Sequence, residues 1–531
     1  MLKFIKLGVY WLPRLPWRFT VTFAVLLLFW LGVVAAALNF LGLPAISAFV
    51  VKLVGLPNLA AANSTGLFGF FVVALNVFLE GGVAVLLLLL TVLLSYNLSA
   101  IVYRKVRKTP VLKVQAPAAP TPGSDTSVEK FVQQRNIGDL KIGIILAGGG
   151  AKGAYQAGAM KAIYEFLEEN GALDKVRMIA GTSIGSWNAM FWLAGLVKAP
   201  GPNQMSSHEQ WWREIRINKI VEFANYIPFA KNYFLYNTPW QETFEDIFVK
   251  NSAIKETLNQ LFVDSQNPDD GAAPMHFYFT RSNVEQGHIE FATNNKTLPE
   301  KKRIKWGTAD TRIEEPVVPH DRYEIVADNA RENPFEQLRQ AVFASMDLPP
   351  LFPYIRIRTD RYEWFEDGGV VDNLPLRFGT ELEGCNLLFV LPLNASFAEP
   401  ANHNSVLKRL YRVMDIRQGV LERNSIKLAR LYNDRAMLLN AASARNPEAS
   451  KSIYKPRFND FVSVFAICPK QPLSIGTSEF WKTEEAGEAF DLMYAVTKSE
   501  LQDKFLEATD PNRLRMALVG PNGEKTYFED F

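Results

Sequence analysis

The sequence predicts an α/β fold with a mostly parallel sheet, preceded by an N-terminal two-helix transmembrane hairpin. Three observations predict it: an uncharged apolar run near the N-terminus, a Pro- and Ala-rich stretch further on, and two successive units of strand, glycine turn and helix beyond that. At 531 residues the chain exceeds one ordinary domain. Lys and Arg number 57 against 55 Asp and Glu, a formal charge of +2. No global field therefore points to nucleic acid as a partner.

The run over 19–43 (FTVTFAVLLLFWLGVVAAALNFLGL) holds no charged residue, and it exceeds the roughly 20 helical residues that cross a bilayer. The apolar region of a signal peptide is shorter, about 7 to 15 residues. A second apolar region over 67–103 is interrupted by Glu80, Gly81 and Gly82. An ionised carboxylate at mid-bilayer costs about 3 kcal/mol. The second span is therefore expected over 82–103 with Glu80 at its boundary; the alternative is that Glu80 faces a partner helix and is functional. Lys3, Lys6, Arg14 and Arg18 precede the first span, a basic run over 104–108 follows the second, and the loop between them holds only Lys52. The positive-inside rule then gives a multi-pass inner-membrane protein whose remainder is cytoplasmic. The stretch over 114–127 (VQAPAAPTPGSDTS) cannot bury enough apolar surface to order itself and reads as a tether. The expected organisation is a membrane hairpin over 1–108, a linker over 109–136 and a folded domain over 137–531 with a C-terminal helical extension.

In KIGIILAGGGAKGAYQAG, over 141–158, a short apolar run breaks into Gly148, Gly149 and Gly150 and resumes with helical spacing. Bare backbone N–H groups at such a turn suit a nucleotide pyrophosphate or a developing oxyanion. The next unit, KVRMIAGTSIGSWNAMFWLAG, repeats strand, turn and helix. A dinucleotide fold places an acidic residue at the tip of this second strand; here the strand ends in G-x-S-x-G, Gly181 to Gly185, and Asp174 lies before it. Those glycines permit the sharp turn that lifts Ser183 to a helix N-terminus, where a nucleophilic hydroxyl belongs. Downstream, YEWFEDGGVVDNLPL offers Asp367 with Gly368 and Gly369. D-G-G by itself is a common turn.

Taken in order, G-G-G-x-[RK]-G, G-x-S-x-G and D-G-G resemble the patatin-like phospholipase family, of the bacterial, membrane-anchored kind. The resemblance implies a patatin-like three-layer hydrolase fold and a Ser–Asp dyad, with Ser183 the nucleophile and Asp367 the base. It implies an oxyanion hole from Gly148, Gly149, Gly150 and Ala151, and places Lys152 and Gly153 in the first motif. Lys152 either attracts a lipid phosphate or ties the loop to a neighbour. FASMDLPPLFP, over 343–353, looks like the family's helix-then-proline segment but departs from it at Asp347, which either narrows the pocket or caps the turn. The aromatic and basic segment over 211–240 is a lid that dips into lipid or a set of packed cap helices.

Cys385 and Cys468 sit inside apolar runs and read as inert core thiols. His208, His276, His288, His320 and His403 lack partner spacing for a metal and read as surface or strand residues. The expected protein is a membrane-embedded serine hydrolase of phospholipid or other acyl-lipid esters that needs no metal or cofactor. A catalytically silent scaffold and a nucleotide-binding protein are the rival readings.

Overall fold

A computed structural model describes residues 140–201, 203–223, 233–264, 275–298, 322–327, 333–358, 362–394, 406–445, 462–469, 473–503, 515–519 and 525–528. The expected hairpin over 1–108, with Glu80 and Lys52, and the linker over 109–136 lie outside the described residues. Among the described residues no helix is long and apolar enough to cross a membrane.

Strand β1 (Ile142–Leu146, IGIIL) is buried at every position, as a parallel strand covered on both faces must be. The chain turns into helix α1 (Gly153–Glu169), which ends before Gly171 at φ +60°. Strand β2 (Val176–Thr182) follows and leads directly into α2 (Ile184–Leu193), a helix buried all round. Next come α3 (Ser207–Glu214) and the short antiparallel pair β3 (Glu222–Phe223) and β4 (Leu235–Tyr236). That pair belongs to a different compact unit from the other described elements.

In the other unit the chain continues through α4 (Thr238–Phe244), a π-helical turn (Glu245–Val249) and α5 (Ser252–Asp264). It then forms β5 (His276–Asn283), β6 (His288–Thr293), β7 (Tyr323–Ile325) and α6 (Pro334–Met346). A hairpin follows, β8 (Ile355–Arg358) and β9 (Tyr362–Asp367), and then β10 (Leu387–Leu391). The last elements are α7 (Val406–Arg445), β11 (Ser463–Pro469), α8 (Thr483–Asp503), β12 (Arg515–Val519) and β13 (Lys525–Phe528).

The sheet order is β13-β12-β11-β10-β1-β2-β5-β6-β7, with β9 paired to β5 and β8 to β9. From β12 across to β5 every pairing is parallel, and the antiparallel pairs lie outside this block. The chain leaves β1 toward β2 on one side and returns through β10 on the other, so the strand order reverses at β1. Open parallel sheets bind ligands at the carboxyl ends of their strands at such a reversal.

Two expectations change. The C-terminal part is not simply a helical extension: β10 to β13 continue the sheet, because LLFVL and SVFAICP are short apolar runs long enough for strands and too short for core helices. The outer ends of the aromatic segment are core. Trp211, Trp212 and Trp240 are buried, and the Trp187 ring of α2 lies 5.1 Å from Trp211, 5.4 Å from Trp240 and 5.7 Å from Phe248. Rings this large gain more by packing edge-to-face against each other than by waiting in a mobile lid. Those ends follow the packed-helix alternative.

Candidate active site

Ser183 stands between β2 and α2 with φ 53° and ψ −125°, a geometry that costs an ordinary residue roughly 1–3 kcal/mol. The turn closes because Gly185 lacks a side chain: a Cβ there would lie 2.4 Å from the Leu146 carbonyl oxygen. The Ser183 N–H donates to Ser345 Oγ at 2.9 Å. Its carbonyl accepts from the Ser186 N–H at 2.9 Å and the Ser186 hydroxyl at 2.6 Å. Bonds on both sides of the residue thus hold the strained backbone in place.

Asp367 ends β9, with its buried carboxyl near enough to Ser183 for that side chain to lower its proton affinity. The Gly369 N–H donates to Asp367 Oδ1 at 2.7 Å, within a single 3-10 turn formed by Gly368–Val370. The Asp367 N–H donates to the Asp347 carbonyl at 3.1 Å, and its own carbonyl accepts the Ser282 hydroxyl at 2.9 Å. Burial pushes the Asp367 carboxyl up to about 7; the Ser183 side chain and the Gly369 N–H hold the rise back and the Glu366 charge adds to it. A base with this affinity is half ionised near neutrality, where proton transfer in both directions is easiest.

The glycine loop lies against the serine, for a Cβ on Gly148 would come within 2.9 Å of Ser183 Cβ. Gly150 has φ +57°, and a Cβ on it would lie 2.0 Å from the Thr477 carbonyl oxygen, so no other residue fits. The four expected oxyanion donors divide into two pairs. Ala151 donates its N–H to the Thr477 carbonyl at 2.9 Å, and Gly148 donates to the Asn373 carbonyl at 3.4 Å. The N–H groups of Gly149 and Gly150 have no such partner among the described residues and are the two open donors.

Lys152 follows the structural alternative: its Nζ donates to Asp415 Oδ1 at 3.1 Å and Asn394 Oδ1 at 3.2 Å. Gly153 opens α1, and Gly181 and Gly185 bracket the serine turn. Asp347 directly follows the last residue of α6, but its side chain does not cap the helix. Its Oδ1 accepts from Asn237 Nδ2 at 2.5 Å, and its Oδ2 is buried without a partner. Burial, with Asp367 close by, raises this carboxyl well above its usual range. Its main chain, through the bond to the Asp367 N–H, positions Asp367.

Sequence reasoning missed Ser345 and Asn373, although both lie inside the quoted segments that flank the motifs. Asn373 Nδ2 donates to the Gly148 carbonyl at 3.1 Å and to Glu422 Oε1 at 2.6 Å. Glu422 had no signal, being one carboxylate in a basic helix 49 positions away. His208 is neither a surface nor a strand residue. It is buried in α3, its ring stacked on Phe191 and its Nε2 3.0 Å from Asn188 Oδ1. Burial lowers it to about 3. His276 and His288 lie on β5 and β6, paired with Glu383 at 2.7 Å and Glu290 at 3.3 Å. His320 and His403 lie outside the described residues. Both cysteines are free and buried.

A serine in a strand-to-helix elbow, a buried carboxyl near it and a glycine loop touching it form the constellation of a serine hydrolase. Residues 144–378 match the family model described as Patatin-like phospholipase, and over this stretch the chain is a patatin-like phospholipase domain. The crystal structure of VipD from Legionella pneumophila is similar over 68% of this chain and 67% of that chain, with 15% identity and a TM-score of 0.29. No curated protein matches the chain.

Proposed function

We propose that this chain is a membrane-anchored serine lipid acyl hydrolase that cleaves ester bonds of phospholipids or related acyl lipids through a Ser183–Asp367 dyad. The observation that carries it is the strained Ser183 elbow against a glycine loop with two open N–H donors, with the buried Asp367 carboxyl near enough for Ser183 to lower its proton affinity. Ser183 Oγ attacks the ester carbonyl carbon while its proton passes to Asp367. The carbonyl oxygen gains charge, and the N–H groups of Gly149 and Gly150 stabilise it. Collapse of the tetrahedral species breaks the ester bond, and the alcohol leaves with the proton from Asp367. Water then attacks the acyl-serine, Asp367 takes its proton, and the fatty acid departs as Ser183 regains its hydrogen.

The membrane hairpin over 1–108, the tether over 109–136 and the cytoplasmic placement of residues 137–531 belong to this proposal. They rest on the uncharged run over 19–43 and the Lys and Arg asymmetry around it. A fluorophosphonate probe tests the chemistry: it should label Ser183 in the wild type, lose all labelling in Ser183→Ala and most of it in Asp367→Asn. Full turnover by Asp367→Asn would place the base elsewhere.

A further inference from the structure

Helix α7 has two faces of opposite character. At about 100° per residue, Asp415, Gln418, Glu422, Ile426, Ala429 and Asn433 share one side, and all but Asp415 are buried. Opposite them, Val413, Ile416, Val420, Leu428, Leu431 and Leu438 fall within an arc of about 120°. Each of these six is exposed, from 41% at Val420 to 72% at Leu438. The solvent side of a globular helix ordinarily carries polar residues, and an apolar stripe of this extent marks an interaction surface.

Charge decides the partner. The helix carries nine Lys and Arg against three Asp and Glu, and two of those acids, Asp415 and Glu422, are bonded on the inner side. Arg417, Lys427 and Arg435 are exposed among the apolar residues. Their stems can lie along apolar surface while their charged heads reach lipid phosphates. Apolar residues flanked by Lys and Arg along one long helix face fit the headgroup plane of an anionic bilayer. A second copy would set one basic face against another, a repulsive arrangement.

The inner side of the same helix reaches the site. Glu422 holds Asn373, which donates to the Gly148 carbonyl. Asp415 accepts from Lys152 and from the Thr477 hydroxyl at 3.0 Å, and the Thr477 carbonyl accepts the Ala151 N–H. Both ends of the glycine loop are thus bonded through to α7. We propose that the outer face of α7 docks on the anionic surface of a lipid bilayer and, on the reading of this chain as a lipid hydrolase, holds the glycine loop toward that surface.

The test uses the full chain reconstituted into vesicles of phosphatidylcholine alone or of phosphatidylcholine with phosphatidylglycerol. Both native cysteines are buried, so a Leu431→Cys form can carry one environment-sensitive fluorophore, and a Glu256→Cys form on α5 serves as control. The α7 label should shift to the blue and be quenched by brominated lipid when phosphatidylglycerol is present, while the control stays accessible to a water-soluble quencher. Adding Arg417→Glu and Arg435→Glu should reverse the shift and lower the ratio of vesicle to soluble-ester hydrolysis about tenfold. The fluorescence readout needs no turnover, so an inactive protein would overturn the hydrolase reading and leave docking testable. A label that stays water-accessible on both vesicles overturns the docking. So does a label buried regardless of lipid, with energy transfer between labelled copies, which would assign the face to a second copy.

Discussion

At Asp367 two requirements meet: in the proposed dyad the group must be ionised to accept the Ser183 proton, yet burial holds its proton affinity up near neutrality. Only the carboxylate form is a base, so log kcat/KM should climb with unit slope as pH rises toward about 7 and level off above it. A profile flat from about pH 5 to 9 would show that another group limits the reaction. Asp367→Asn should lower kcat by on the order of 10²–10⁴-fold. At Ser183 the cost is conformational, since φ 53° is unfavourable to any side chain. Ser183→Gly relieves that strain and Ser183→Ala does not, so the Gly form should be more stable by about 1 kcal/mol in a denaturant titration. Equal stability would mean that the elbow relaxes in the Ala form. Both residues were legible in the sequence because their glycine neighbours are fixed by sterics: without a bare Gly185, for example, the Leu146 carbonyl would block the turn. Ser345 was not legible, because a serine that accepts one backbone N–H leaves no pattern of spacing.

The helices keep these residues in register through buried amides. Asn188 of α2 donates from Nδ2 to the Gly153 carbonyl at 3.1 Å and to Gln156 Oε1 at 2.9 Å, and its Oδ1 accepts from Trp212 Nε1 at 3.0 Å. Gln156 in turn donates to the carbonyls of Ala147 and Leu391 at 3.2 and 3.1 Å, the ends of β1 and β10. The network joins α1, α2 and α3 to the strand ends that launch the glycine loop. Asn188→Leu would strand several buried polar groups at once, and unfolding free energy should fall by about 3 kcal/mol. A loss under about 0.5 kcal/mol would show that water replaces the amide. The strands and helices of the first two units were readable from periodicity, because each is a single run bounded by glycine. The outer ends of the aromatic segment were ambiguous, since tryptophans suit a lid as well as a core, and only the packing around Trp187 separates the two. Strands β10 to β12 went unread because the strands they join lie far along the chain, β10 beside β1 and β11 beside β10.

Across the whole molecule the site's chemistry sets the dependence of stability on pH. Burial raises Asp367 from 3.8 and Glu422 from 4.5, each to about 7, and raises Asp347, Asp372 and Glu366 in the same direction. Between the ordinary carboxylate range and about 7 the native protein therefore keeps protons that the unfolded chain has released, and stability must fall as pH rises through that window. His208 acts in the opposite sense, since burial lowers it from 6.5 to about 3 and the unfolded chain binds the proton that the native state refuses. That contribution ends above 6.5, where an unfolded histidine is neutral as well, and the carboxylates then act unopposed. From about pH 6 to 8.5 each of Asp367 and Glu422 should cost about 1.4 kcal/mol of stability. Tm should drop over this interval, while kcat/KM gains from the ionisation of the same Asp367. Asp367→Asn and Glu422→Gln should each flatten the drop, and Asp367→Asn should melt higher than wild type at the alkaline end despite having lost its activity. Melting curves of the three proteins at both pH values decide it: a wild-type Tm that rises toward pH 8.5 would show that burial does not hold these carboxyls up.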